Sequence, residues 1–457
     1  MTVPLEDRPD VARRVPATMI QRTLWILDRY RGGQGIMGVP LLYRIRGKLD
    51  EDALQASLRQ VMLRHEALRT VFATQQGVLQ QIVLSSPPPV PVTRFPVPAA
   101  VDPDAADPAA AAYDLARQQL RTDPDIAASP VRASLWSWAP DDHLLVVDIH
   151  HFVTDAWSNM LVSRDLAHFY SVHAGAERPP LPEVTWQYPD YALWLNRHLE
   201  GPALQEHREF WGRQLKDAHF GRLTEGSGAD DGLTPGRLRP RSLAANTWIP
   251  LDADLIEQLR ACAIRLRTTL FVVLLSLFMD CIARETGDGD VAIGSIFANR
   301  QRPECRETVG CFANMVTVRA NLSAGDSIEA GIAQVRRAVL TAIEHEEMSH
   351  LALRLGPDHM TGRPDEVVFH MLAVPPTAAS GRTDFADLDV SPLPIPDGLS
   401  SRFDLELLMI PGAGAAIDGV FRYAQDRCDA DFVSRLADSY LAAARALPGR
   451  LAGRPGG

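Results

Sequence analysis

The stretch His143–Ile149 (HLLVVDI) constrains what this chain can fold into more than any other. It is short and almost unbroken in its apolar character. A strand with one wet face alternates apolar and polar residues, whereas a run without alternation is consistent with a strand buried on both faces. Two histidines follow directly, and then Ala156–Tyr170 reads as a helix with Asp155 at its N-cap. Other segments continue the mixture. Asp50–Arg64 puts Leu54, Leu58, Val61 and Met62 on one helical face, and Thr268–Ala283 is apolar almost all round, as a buried helix would be. The expected fold class is α/β, in two halves that divide near residues 175–180.

Proline and glycine mark the expected breaks. Ser85–Ala112 carries prolines too densely for helix or sheet, Gly221–Arg241 reads as a linker, and Pro448–Gly457 reads as a frayed tail. No period of a solenoid or propeller repeats. A length of 457 residues allows two or three domains, and 46% hydrophobic against 23% charged residues is ordinary for a chain that buries sizeable cores. The longest apolar run, Leu270–Met279, falls short of the ~20 residues a bilayer requires. The acidic, polar start MTVPLEDRPD carries no secretory signal, so a cytoplasmic protein without a membrane partner is expected. A net charge of −11 with no basic stripe argues against nucleic acid as a partner. The five cysteines form no CxxC pair, which speaks against a disulfide framework or a metal site.

The histidine pair, in IHHFVTDAWS (Ile149–Ser158), has a plain structural reading: a core histidine followed by a capping aspartate. Its position favours chemistry. Strand ends followed by loops are where α/β proteins commonly place their reacting groups, and histidine exchanges protons near neutral pH. Adjacent residues of an extended backbone point to opposite sides, so only one ring faces a given cavity. His151 is assigned that place, and His150 the packing and hydrogen bonding beneath it. Asp155 has two structural roles open to it, pairing with an arginine or capping helix amides, and neither makes it a base.

This stretch resembles the HHxxxDG core of nonribosomal peptide synthetase condensation domains, and the resemblance runs through almost the whole chain. TMIQRTLWIL (Thr18–Leu27) is similar to the family's SxAQxRLWxL motif, and RHEALRTVF (Arg64–Phe72) to its second motif. YPDYALW (Tyr188–Trp194) resembles YxDFAxW, and VGCFANMVTVR (Val309–Arg319) resembles IGxFVNTxxxR. IGSIFANR (Ile293–Arg300) is similar to the segment that lies across the family's tunnel. Elements in this order are far more specific than HHxxxD alone, which CoA-dependent acyltransferases also carry.

The resemblance implies two halves, each like chloramphenicol acetyltransferase, set as a V around a central tunnel. Residues 1–178 would carry the HHxxxD motif, and residues 179–457 the second half with crossover segments closing the tunnel. His151 becomes the catalytic histidine supported by His150, and Asp155 pairs structurally with Arg300. The amides around Asp155, Ala156 and Trp157 are candidates for favouring a developing oxyanion. No cofactor or metal is expected on the chain itself; the phosphopantetheine arm would come from an acyl or peptidyl carrier protein. Departures stand beside the matches. Ala156 replaces the usual glycine and Thr23 the usual arginine. The late motifs have decayed to HEEMSHLAL (His345–Leu353) and to a scarcely recognisable trace around Arg363–His370. No carrier-attachment motif of the GGxS kind occurs.

The expectation is a free-standing condensation enzyme joining a carrier-tethered (amino)acyl thioester to the hydroxyl or amine of a small molecule, with an ester favoured over an amide. A CoA-dependent acyltransferase and a non-catalytic docking domain are the alternatives.

Overall fold

Each of the two apolar stretches singled out in the sequence ends in the interior of its own unit. The computed structural model describes residues 10–31, 36–96, 108–220, 243–322, 327–348, 360–361, 366–373, 385–396, 398–412 and 414–452. One unit gathers Met1–Leu199, Arg300–Ala313 and Ala373–Leu399; the other gathers Glu200–Asn299, Asn314–Leu372 and Ser400–Gly457. A single cut after residue 178 therefore does not describe the chain. The YPDYALW helix belongs to the first unit because Tyr188 and Tyr191 pack on Phe312 of a returning segment, at 5.0 and 4.5 Å between ring centroids.

The first unit runs β1 (Val11–Pro16), α1 (Met19–Arg31), β2 (Gly38–Arg46), α2 (Glu51–Arg64), β3 (Thr70–Gln75), β4 (Val78–Leu84), β5 (Val92–Pro96), α3 (Pro108–Gln119), β6 (Val131–Ala139), β7 (Asp142–His150), α4 (Ala156–His173) and α5 (Tyr188–His198). With β14 (Asp389–Pro392), β2, β5, β6 and β7 form a five-stranded sheet in the order β14-β2-β7-β6-β5, while β1, β4 and β3 form a smaller sheet. The run at 143–149 is the central strand β7, antiparallel to both neighbours and buried from His143 to His150. Leu144 and Val146 pack with Ala112 and Ala116 of α3 and with Leu120 just beyond its end. In α2, capped by the Asp50 side chain on the Ala53 amide at 2.9 Å, the predicted face is the buried one.

The proline-rich stretch holds more structure than its composition suggests. Strand β5 ends on Pro96 and α3 begins on Pro108. Both are positions where the missing N–H costs little: the end of an edge strand and the first turn of a helix.

In the second unit the chain forms α6 (Pro202–Gln214), β8 (Ala218–His219), β9 (Ala244–Leu251), α7 (Ala253–Arg265), α8 (Leu270–Thr286), β10 (Asp290–Phe297), β11 (Asn314–Asn321), α9 (Ile328–Glu344), β12 (Met360–Thr361), β13 (Val367–Met371), β15 (Leu405–Pro411), β16 (Ile417–Ala424) and α10 (Ala430–Ala452). Its six-stranded sheet has the order β11-β10-β13-β15-β16-β9, with parallel pairs at β10–β13 and β13–β15. Helix α8 starts on the Thr269 cap and stops at left-handed Gly287 (φ 68°); between them Phe278 packs on Phe369 and Phe421. The tail is helical through Ala452, despite Pro448, because Leu447 and Leu451 stay buried. The expected linker at 221–241 and residues 453–457 lie outside the described residues. Among the described residues no single helix is long and apolar enough to cross a membrane.

The second motif is an anchor for α4. His65, fully buried, meets Asp165 Oδ2 through Nε2 at 2.8 Å, and Arg64 and Arg164 reach the same carboxylate at 2.8 and 2.6 Å. His65 Nδ1 is buried with no acceptor among the described residues. Burial holds the His65 pKa below the usual histidine value and Arg64 and Arg164 press the same way, although Asp165 pulls it up. A histidine harder to protonate when folded contributes stability above its unfolded pKa of ~6.5, and that contribution is lost as pH falls toward the folded value. Stability measured by chemical denaturation should therefore decline as pH drops below ~6.5. His65→Gln keeps a donor for Asp165 but cannot titrate, so it should flatten that decline; an unchanged slope would remove His65 as its source.

Candidate active site

Where β7 ends, hydrogen bonds from two neighbouring segments fix the course of the backbone. The His150 amide donates to the Pro130 carbonyl at 2.8 Å and the His151 amide to the Met37 carbonyl at 2.7 Å. Asp123 Oδ1 holds the Met37 and Gly38 amides, each at 2.7 Å, which secures the start of β2. On the far side of the turn, Gln21 of the first motif donates to the Phe152 carbonyl at 2.8 Å.

The two histidines differ in burial, the first closing the strand and the second beginning the turn that follows it. His150 is 2% exposed, stands edge-on to Phe152 at 4.5 Å, and accepts the Phe152 amide on Nδ1 at 3.2 Å. His151 is only partly buried. Its Nδ1 lies 2.8 Å from the Thr154 carbonyl, which can only accept, so Nδ1 carries the hydrogen and the neutral ring keeps its lone pair on Nε2. Cys311 Sγ packs 3.9 Å from the same Nδ1.

Asp155 unites the two structural roles left open by the sequence. Oδ1 caps α4 by accepting the Ser158 amide at 2.7 Å. Oδ2 accepts the amides of Phe312 and Ala313 at 3.0 and 3.1 Å. Arg300 Nη2 reaches both oxygens at 3.1 and 3.3 Å, and both side chains are 2% exposed. The guanidinium is itself held by the Cys305 and Thr308 carbonyls at 2.7 and 2.6 Å, and lies 4.0 Å from the Phe312 ring centroid. A buried ion pair is favourable only when its remaining donors and acceptors are occupied, as they largely are around this one.

Residues that the sequence reading passed over complete the arrangement. Ser158 Oγ accepts from Arg300 at 2.7 Å and exchanges hydrogen bonds with the Gly310 carbonyl and amide at 2.8 and 3.0 Å. Gly310 must be glycine, since a Cβ there would come within 2.0 Å of the Tyr188 ring. The Tyr188 hydroxyl donates to the Cys311 carbonyl at 2.7 Å, and burial raises its pKa, keeping it a neutral donor. Each lies inside or beside a motif already quoted; the signal was the motif, and only packing assigns the role.

Ala156 and Trp157 occupy the first helical positions of α4, where amides lack intrahelical partners. The Trp157 indole donates to the Arg306 carbonyl at 3.0 Å. Ala156 is helical, so no positive φ is needed where the family motif has glycine. Of the decayed motifs, His345 packs on Phe210 at 3.8 Å and meets His207, Nδ1 to Nδ1, at 3.0 Å; residues 349–359 and 362–365 lie outside the described residues. Among the described residues no group of three or more His, Cys, Asp or Glu could hold a metal ion.

Removing the Asp155 carboxylate strands Arg300 and two inward-facing amides. Loss of one partner of a buried pair typically costs ~3–5 kcal/mol. Asp155→Ala should give a protein with a strongly lowered unfolding midpoint or an insoluble one; a soluble variant with wild-type stability would contradict the clamp.

A family model described as Condensation domain matches residues 11–447. The chain is 32% identical over 437 residues to the probable non-canonical nonribosomal peptide synthetase CymA of Salinispora arenicola, covering 92% of this chain but 5% of that protein. It spans a small part of such curated relatives. Its structure is similar to that of SgcC5 from Streptomyces globisporus, solved with (R)-(-)-1-(2-naphthyl)-1,2-ethanediol and sucrose (TM-score 0.74, 22% identity, 94% and 98% of the two chains). It is also similar to the X-domain from teicoplanin biosynthesis (TM-score 0.73, 24% identity, 98% and 96%). At these identities the structural likeness is one of fold.

Proposed function

The chain belongs to the condensation-domain family, and on that premise we propose that it joins a carrier-tethered acyl thioester to the hydroxyl or amine of a small molecule. The observation that carries this reading is the His151 ring. Its Nδ1–H is committed to the Thr154 carbonyl, which leaves Nε2 as the nitrogen able to take a proton.

The thioester is already activated, so no covalent acyl-enzyme is required. The acceptor oxygen or nitrogen attacks the carbonyl carbon while His151 Nε2 removes its proton. The negative charge that forms on the carbonyl oxygen would be met by the Ala156 and Trp157 amides at the positive end of α4. Collapse of the tetrahedral species breaks the carbon–sulfur bond, and the protonated imidazole returns its proton to the departing pantetheine thiolate. Orientation supplies several kcal/mol, and base assistance about 10²–10⁴-fold in rate. An alcohol depends on the base more heavily than an amine does, because it is the weaker nucleophile.

His151→Ala should lower turnover at least ~100-fold with an unchanged unfolding midpoint. A variant keeping more than a tenth of the wild-type rate would take the proton-transfer role away from His151. His150→Ala should lose activity together with stability, since that ring is packed.

The acceptor is proposed to be untethered. The 1,2-ethanediol with which SgcC5 was solved provides a probe of that class. With an acyl group on a purified carrier protein and the free diol or a free amine, mass spectrometry should detect the ester or amide. Product only when the acceptor is also carried by a carrier protein would replace this reading with peptide-bond formation between two carriers. Product from the acyl-CoA alone would favour a CoA-dependent acyltransferase. A chain that binds carriers but yields no product would be a docking module.

A further inference from the structure

The carbonyl that receives the His151 Nδ1–H belongs to a residue whose own side chain is pinned. Thr154 is 0% exposed, and its hydroxyl donates to Asn159 Oδ1 at 2.7 Å. Asn159, in the first turns of α4 and 6% exposed, donates in turn from Nδ2 to the Val39 carbonyl at 3.0 Å. Val39 pairs with Ile149, two residues before His151, across β2 and β7. The path from the His151 ring through Thr154, Asn159 and Val39 thus returns to β7, the strand that leads into His151.

We infer that Thr154 and Asn159 are positioning residues that hold His151 in its Nδ1–H tautomer, an inference that rests on the proposed role of His151 as proton acceptor. A neutral imidazole in water exchanges between two tautomers, and only the Nδ1–H form keeps the 2.8 Å contact with a carbonyl. The direction of that carbonyl depends on the rotation of the Thr154–Asp155 peptide. The carboxylate of Asp155 anchors one side of this peptide, and the Thr154 hydroxyl anchors the other. Asn159 is suited to its place because it presents an acceptor to Thr154 and a donor to Val39. An aspartate of the same shape would turn a lone pair toward the Val39 carbonyl.

The substitutions separate this role from packing. Thr154→Val keeps the shape and removes the hydroxyl, Thr154→Ser keeps the hydroxyl and removes a methyl, and Asn159→Asp keeps the shape and replaces the donor with an acceptor oxygen. Each is read by the ¹⁵N chemical shifts of the His151 ring in histidine-labelled protein, assigned with His151→Gln, and by kcat and KM on the carrier-bound donor. The wild type should show the Nδ1–H form alone. Thr154→Val and Asn159→Asp should each show Nε2–H admixture with kcat lowered ~10–100-fold and KM for the donor unchanged. Thr154→Ser should restore both. Wild-type shifts and turnover in Asn159→Asp, or a Thr154→Ser protein impaired in the same way as Asn159→Asp, would overturn the inference. A mixed tautomer with undiminished turnover would leave the positioning role standing and remove His151 as the proton acceptor.

Discussion

The arrangement around the histidines depends on one carboxylate. Asp155 ends a helix-capping turn and at the same time accepts Arg300 and the amides of Phe312 and Ala313, which arrive from more than a hundred residues later in the chain. A carboxylate is suited to this because it is acceptor-only, with two oxygens for the donors that converge on it. Charge-assisted hydrogen bonds of this kind are the stronger ones, and burial makes any unmet member expensive. The segment 300–313 therefore has little freedom to settle elsewhere in its unit.

From that clamp the candidate chemistry follows in steps. Fixing Asp155 fixes the first turn of α4 and so the two amides proposed for the oxyanion. Fixing the turn that precedes it sets the Thr154 carbonyl, and that carbonyl decides which nitrogen of His151 has a lone pair. The strand end contributes direction, and the side chains around it contribute protonation state.

Much of this was readable in the sequence because its causes are local. Strand β7 follows from an apolar run without alternation, α4 from a capping aspartate, and α8 from apolar residues on every face. The Asp155–Arg300 pair was legible only through resemblance, since nothing local to either residue specifies a partner 145 positions away. What escaped has a physical reason too. Prolines at the end of β5 and the start of α3 occupy the places where a missing N–H is tolerated, so density alone misled. The division of the chain eluded a single cut because returning segments are recruited by contacts such as Phe312 on Tyr191, which composition does not record. Thr154 and Asn159 carry no signal in a single sequence: a buried threonine beside a buried asparagine is ordinary until the hydrogen bonds are traced.

The central claim is that Asp155 is a clamp on the segment 300–313 and not merely a helix cap, and amide hydrogen exchange tests it most directly. Asp155→Asn can cap α4 with its oxygen, but its NH₂ then meets the donors of Phe312, Ala313 and Arg300. Read residue by residue, the account predicts that the Phe312 and Ala313 amides lose protection in Asp155→Asn while those of β7 keep theirs. Unchanged protection at Phe312 and Ala313, with a loss confined to the Ser158 amide or absent altogether, would contradict it.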